Sequence, residues 1–508
     1  MTSKDASSDS ASTVSLVDAK TPTTRKPGPW RIARIIDARA LRVKLTAAAH
    51  QHGGDDPAAR RQVLDHLHGA LFRGRMIAQE RLQQGADGLD TARLLSRVMD
   101  EVLHALYDYT TTHVFRARNP TVGERLAVFA TGGYGRSVLA PSSDIDLLFL
   151  RPYKASAYTE SVIEYMLYAL WDMGLKIGHA FRTPQECIRL AREDVTIKTS
   201  LLDARFLFGD EALSKETAEK FNRAAVIGQD AQFIADKLAE RDARHTRQGD
   251  TRYVVEPNVK EGKGGLRDLQ TLYWIVKHLH PTTTTTLEDV MQTEVFTAHE
   301  YYVFLRAARF LWTVRCHLHY LTGRPEERLS FDLQPELAAR MGYRDRGEQL
   351  GVERFMKRYF IAARDVGHLT RILAAKLEAS QKAEPLSWRR FVPGLGVKSL
   401  SDPVFEVHND RIIARDDTAV LSQPGNLLRV FHVADGQGLD IHPDLLTLVT
   451  RNVRLINKET RTKAALVELF LSILLEANDP GLALTRMNEA GVLGRFLPEF
   501  GGIVAQTQ

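Results

Sequence analysis

The stretch ATGGYGRSVLAPSSDIDLLFL, from Ala130 to Leu150, constrains this chain more than any other. A short apolar run, LAVFAT, ends in Gly132-Gly133 and reads as a buried strand entering a tight turn. Ten residues separate Gly133 from Asp144, and Asp146 follows after one intervening residue. A second apolar run, IDLLFL from Ile145 to Leu150, places both aspartates at the start of a strand. Side chains alternate along a strand, so positions i and i+2 project from one face. Two carboxylates pressed together repel and desolvate each other unless a cation lies between them. Hard oxygen ligands that leave room for water and phosphate oxygens suit Mg²⁺. Two such ions can hold an attacking oxygen, the transferred phosphorus and a leaving pyrophosphate in line. Glycines, lacking Cβ, let backbone N–H groups approach a triphosphate closely. Gly132, Gly133, Arg136, Ser142 and Ser143 are therefore candidate phosphate contacts, and Asp144 and Asp146 candidate metal ligands. A glycine pair or a DID triplet alone says little. Their order, with a strand on either side, makes a catalytic centre the better reading.

The text on either side of this segment is helical. From Trp30 to about 118, charged residues recur at helical spacing among Ala and Leu, and Asp55 and Asp56 before Pro57 mark a helix start. Residues 1–29 are rich in Ser, Thr, Asp, Lys and Pro and are expected to be a disordered tail. After IDLLFL, a long helix is expected over about Tyr158 to Met173, with Ile163, Met166, Leu167, Leu170 and Trp171 on one face. LKIGHAFRT then alternates as a strand, two short helices follow Pro184, and LLDARFLFGD supplies a further strand near Asp203 to Phe208. Helix returns over 211–380, with a Thr282–Thr286 loop; 381–423 reads as a linker, and 424–508 as helical again. The expected class is α+β and mostly helical, with a small sheet at 119–210 flanked by the helical regions 30–118 and 211–380.

Composition excludes several alternatives. Only two cysteines are present, Cys187 and Cys316, without a CxxC pair or a Cys/His cluster, so zinc is not expected and a reducing compartment, the cytoplasm, is. No apolar run is long enough to cross a membrane. The net charge of +5 fits a protein that handles phosphates. Aromatic and basic residues are not interleaved as in a nucleic-acid groove, so no nucleic-acid partner is expected. His179, His245, His317 and His319 are read as structural or surface residues, because HLH at 317–319 falls in a helical stretch where i and i+2 do not share a face.

The glycine pair, the spacing and the DxD strand resemble the polymerase-beta-like nucleotidyltransferase superfamily. That resemblance implies a small mixed sheet, two metals on the DxD carboxylates, and a third carboxylate from a later strand. Asp203, at the opening of the LLDARFLFG strand, is the candidate third acid; Glu193 and Asp194 are the alternatives.

EPNVKEGKGGLRDLQTLYW, from Glu256 to Trp274, narrows the match. A glycine-rich, lysine-containing turn leads into a helix carrying Arg267, Asp268 and Gln270, a helix start that could bind an anion such as a triphosphate. Together with GHAFRT and RPEERLSFDLQ, it makes the chain from about residue 60 onward similar to the bifunctional uridylyltransferase/uridylyl-removing enzymes of bacterial nitrogen regulation. The resemblance implies transfer of UMP from UTP to a tyrosine of the PII signal protein, with Mg²⁺ on Asp144 and Asp146, the triphosphate at Gly132 and Gly133, and no membrane partner. Arg267 and Asp268 match a family signature without an assigned role. Members of that family continue into a phosphohydrolase domain of HD type and two glutamine-sensing ACT domains. This sequence has no His-Asp dipeptide, and 424–508 reads as the lead-in helices of an incomplete HD-type domain, so uridylyl removal and glutamine sensing are not expected of it. The rival readings are a nucleotidyltransferase with another acceptor, of the kind that adenylylates glutamine synthetase, and a non-catalytic fragment that binds PII or UTP.

Overall fold

A computed structural model describes residues 31–116, 121–153, 156–248, 254–281, 289, 296–381, 400–408 and 411–503. The expected tail at 1–29 and the Thr282–Thr286 loop lie outside the described residues. The fold is α+β and mostly helical.

Three helices come first: α1 (Ala38–His52), α2 (Pro57–Gln83) and α3 (Gly88–Tyr109). Each is started by an aspartate, Asp37, Asp56 and Asp87, whose side chain accepts from a first-turn N–H and so satisfies a donor the helix cannot. Strand β1 (Ala127–Ala130) leads into α4 (Gly132–Gly135), a single helical turn where the sequence suggested a tight turn. Then follow β2 (Ile145–Leu150), α5 (Ala157–Asp172), β3 (Ile177–Arg182), α6 (Pro184–Glu193), α7 (Val195–Leu202) and β4 (Arg205–Gly209). The strands form a four-stranded mixed sheet in the order β3-β2-β1-β4. β1 runs antiparallel to β2 and β4, and β2 runs parallel to β3 through the α5 crossover.

One face of this sheet, through Val128, Ala130, Ile145, Leu147 and Phe149, shares a core with α1, α2, α3 and α5. The helices of 30–118 thus share one core with the sheet. The other face, through Phe129, Leu148 and Leu150, packs on Cys187 and on Leu213 of α8 (Glu211–Phe221). Two details differ from expectation. Trp171 is 44% exposed, outside the buried stripe of Ile163, Met166, Leu167 and Leu170. Asp203 does not open a strand; it ends α7, two residues before β4 begins.

A second core is built by α9 (Asp230–Arg247), α10 (Leu266–Leu279), α11 (Ala298–Thr322), α12 (Gln334–Arg340) and α13 (Gly351–Gln381). It includes Leu269, Leu272, Phe304, Leu311, Phe355 and Met356. Val138 and Ala140, from the loop between the glycine turn and Asp144, belong to this core, whereas Leu139 between them belongs to the first. The segment that carries the aspartates is therefore packed from both sides.

A third core lies beyond 400. Strands β5 (Phe405–His408) and β6 (Arg411–Ala414) precede α14 (Asp417–Ser422) and α15 (Asn426–Gln437); β7 (Asp440–Ile441) completes a sheet of order β5-β6-β7. Helices α16 (Pro443–Asn452), α17 (Lys458–Arg461), α18 (Ala464–Leu475), α19 (Pro480–Glu489), α20 (Leu493–Phe496) and α21 (Pro498–Ile503) follow. Phe405, Ile412 and Val420 are buried with Leu427, Phe431 and Ile473. The expected linker therefore stops short of 423: its last part is structured and belongs to a unit with its own sheet and core, more than a set of lead-in helices. Spacing gave no sign of β7, which has only two residues.

Candidate active site

The site begins where β1 ends. Thr131 donates its N–H to the Asp146 carbonyl at 3.0 Å, which holds the glycine turn against β2. Gly132 has φ +57°, a left-handed conformation that suits glycine, and a Cβ there would stand 2.9 Å from Asp146 Oδ2. Tyr134, fully buried, donates its hydroxyl to Asp100 of α3 at 2.8 Å, and Arg205 of β4 pairs with the same carboxylate. The turn is thus tied to a helix and a strand of the first core.

Asp144, exposed, and Asp146, half-buried in β2, both face one cleft of about 660 Å³ that Gly132, Gly133, Arg136 and Ser143 also line. Burial, and then the charge of Asp144, push the Asp146 carboxyl above its ordinary pKa, while Arg136 and Lys260 oppose that shift. An acidic pair in this state gains from a cation. The strand beside it makes the room. Gly178 of β3 is in register with Asp146, and a Cβ at Gly178 would stand 2.4 Å from Asp146 Oδ1. The next residue, His179, is in register with Leu147 and so takes the opposite face, where its ring meets Trp171 at 6.1 Å between centroids.

Asp203 lines the same cleft but is almost wholly buried. Its Oδ2 accepts from Arg136 Nη1 and from Trp274 Nε1, the latter at 2.9 Å, and its Oδ1 has no partner. Arg136 also lies over the Trp274 ring, 5.4 Å from the centroid. Arg136 therefore acts electrostatically on both carboxylates: it is bonded to Asp203 and within range of Asp146. The alternative third acids are committed elsewhere: Glu193 pairs with Arg189 on the surface, and Asp194 caps α7 through Thr196 and Ile197. Ser142 does not line the cleft; its N–H donates to His319 Nδ1 at 3.2 Å. Ser143 does, and its hydroxyl accepts from Arg315 at 3.4 Å.

The far wall comes from the second core. The start of α10 is not open to an anion, as its sequence suggested it could be. Asp268 is 1% exposed; it accepts the Gly264 N–H at 2.7 Å and pairs with Arg244 and His245. Its carboxylate fills the helix N-terminus and locks the turn to α9, so Asp268 has a structural role. Arg267 faces the cleft, paired with Glu261 at 2.9 Å and stacked 5.6 Å from the Trp274 centroid. The RPEERLS segment also joins this wall: Val259 donates its N–H to the Glu327 carbonyl at 2.8 Å, and the Glu327 carboxylate pairs with Arg315 at 2.6 Å. Lys237, Lys260, Trp274, Arg315 and Glu327 were not singled out in the sequence. Lys260, Trp274 and Glu327 lay inside quoted motifs, and their places around the cleft had no sequence signal. His317 and His319 are both buried, in keeping with a structural reading.

The glycine turn thus shares a cleft with two carboxylates, one in the adjoining strand and one just before it, the arrangement the sequence pattern led us to expect of a nucleotidyltransferase. Residues 232–374 match the family model described as GlnD PII-uridylyltransferase, and 405–496 match that of the uridylyltransferase GlnD third domain. Over both stretches the chain resembles the GlnD uridylyltransferase family. It is 58% identical over 483 residues to the bifunctional uridylyltransferase/uridylyl-removing enzyme of Phenylobacterium zucineum, covering 94% of this chain and 51% of the relative. The like-named protein of Caulobacter vibrioides is 54% identical over 487 residues, 95% of this chain and 52% of the relative. That of Azospirillum brasilense is 45% identical over 483 residues, 93% and 50% respectively. The chain thus spans about half the length of the curated relatives it matches. Among the described residues, no helix is long and apolar enough to cross a membrane.

Proposed function

We propose that this chain transfers UMP from UTP to a tyrosine hydroxyl of the PII signal protein, in the cytoplasm, and releases pyrophosphate. The observation that carries the proposal is the Asp144–Asp146 pair facing the glycine turn in a basic cleft; the relatives' names supply the nucleotide and the acceptor. The donor set fits Mg²⁺. Two carboxylates are hard oxygen ligands, the kind Mg²⁺ takes together with water and phosphate oxygens. When bound, such ions would polarise the α-phosphate and offset charge on the leaving group.

The chain's own residues do the rest. The backbone of Gly132 and Gly133 admits the triphosphate against the turn. Arg136 faces its phosphates, and Asp203 with Trp274 fixes the Arg136 guanidinium, so we read Asp203 as the anchor of Arg136 in place of a third catalytic acid. In the transfer, the acceptor oxygen bonds to the α-phosphorus. The bond from that phosphorus to the α,β-bridging oxygen breaks, its electron pair leaves on pyrophosphate, and the acceptor's proton passes to water.

The test is transfer of label from α-labelled UTP to PII, with the other nucleoside triphosphates as controls. The Asp144→Ala/Asp146→Ala double variant is expected to be folded and inactive. Continued labelling by it overturns the site, and labelling from ATP in preference to UTP overturns the uridylyl reading.

A further inference from the structure

Most cations lining the cleft are already committed. Arg136 is paired with Asp203, Lys237 with Glu240, Arg244 with Asp268, Arg267 with Glu261 and Arg315 with Glu327. Lys260 differs. It lines the cleft and is half-buried, yet its ammonium makes no hydrogen bond or ion pair with the described residues; its charge is felt by Asp146 across the cleft. Glu327 and Glu261 act on this ammonium only at range, so it keeps its hydrogen-bonding capacity for a ligand in the cleft.

The backbone under Lys260 is fixed at every polar atom. Its N–H donates to Asn258 Oδ1 at 3.0 Å, and its carbonyl accepts from the Arg267 N–H at 2.8 Å. Val259 beside it is fully buried, donates to Glu327 and accepts from the Leu266 N–H at 3.0 Å. Leu329 donates to Pro257 at 2.9 Å, which closes the turn against the RPEERLS segment. The ammonium therefore leaves a rigid base and is delivered from the helical wall toward the acidic pair on the sheet. Burial, and next the charge of Arg315, lower its pKa, as expected of an ammonium placed among other cations and awaiting an anion.

We propose that Lys260 is a substrate-contacting residue that binds the non-bridging oxygens of the nucleotide's β- and γ-phosphates, the part that departs as pyrophosphate. The proposal rests on the uridylyltransferase reading of the same cleft. It gives the helical wall a direct part in the chemistry: the sheet holds the reacting α-phosphate, and the wall holds the leaving group.

The experiment compares full-length wild type with Lys260→Met and Lys260→Arg. Binding of UTP, UMP and inorganic triphosphate is measured by titration calorimetry with Mg²⁺, alongside transfer kinetics and thermal melting. Loss of one charge-assisted phosphate contact is expected to weaken UTP and triphosphate binding by about 10- to 100-fold in Lys260→Met. UMP, which lacks those phosphates, is expected to change by less than about twofold, and Lys260→Arg to retain most of the affinity. The melting temperature of Lys260→Met is expected not to fall, since no hydrogen bond or ion pair of the ammonium with the described residues is removed. Equal losses for UTP and UMP, or no loss for either, overturn the role of Lys260 and leave the function standing. A wild-type chain that neither binds UTP nor transfers label removes both.

Discussion

Gly178→Ala is the sharpest probe of how the acidic pair is held. The new Cβ would stand 2.4 Å from Asp146 Oδ1, where an unstrained contact needs roughly 3.4 Å. Gly178 is in a strand and Asp146 is its partner in register, so neither backbone can retreat without breaking the ladder. The carboxylate must turn or shift by about 1 Å, a displacement that costs on the order of 100-fold when it falls on a catalytic group. Stability should change little. Replacing a strand glycine stabilises by about 0.5–1 kcal/mol through the unfolded chain, and the overlap costs about 1–3 kcal/mol. The net is within about 2 kcal/mol, a melting shift of a few degrees. UMP transfer to PII at saturating UTP, Mn²⁺ binding followed by electron paramagnetic resonance, and a thermal melt separate the two effects. A variant that is folded, binds Mn²⁺ more weakly and is about 100-fold slower supports the reasoning. Wild-type transfer by Gly178→Ala would refute it, because the carboxylate position would then not matter.

Three other outcomes are expected. Asp268→Ala removes the shared acceptor of Arg244, His245 and the Gly264 N–H; leaving a buried guanidinium unpaired should cost about 3–5 kcal/mol in denaturant unfolding, and a loss below 1 kcal/mol would deny the lock. Asp203→Asn keeps an acceptor for Trp274 but removes the charge opposite Arg136. Transfer should fall about tenfold, through loss of one charge-assisted contact, and a folded variant slowed by more than about 1,000-fold would return Asp203 to the part of a third catalytic acid. Burial, and next the charge of Arg340, push the His317 pKa down to about 4. Because the unfolded chain takes up this proton first, its share of stability is complete above about pH 6.5. It is lost as the pH falls toward 4, by up to ~3 kcal/mol, and His317→Gln should flatten that slope in acid-unfolding measurements.

Much of this was legible in the sequence where one local pattern decided the outcome. Apolar runs marked β1 and β2, period-two spacing placed Asp144 and Asp146 together, and Asp-Pro marked the start of α2. Register between strands was not legible. The pairing of Gly178 with Asp146, which leaves room for the carboxylate, is set by the α5 crossover and by the shared core. Asp203 illustrates the other limit. Its place in the chain suggested the opening of a strand and a third catalytic acid, whereas its partner Trp274 is 71 residues away, a contact that no local spacing encodes. Asp268 likewise read as part of an anion site until α9 supplied Arg244 and His245.

The three-residue run Val138-Leu139-Ala140 has a last consequence. Its side chains turn alternately into the helical core and the sheet core, like a rivet through two plates. Close-packed interiors transmit displacement and do not absorb it. A repacking in either plate must therefore tug on the peptide units just ahead of Asp144, and any signal that shifts the helical plate can detune the acids with no messenger entering the cleft.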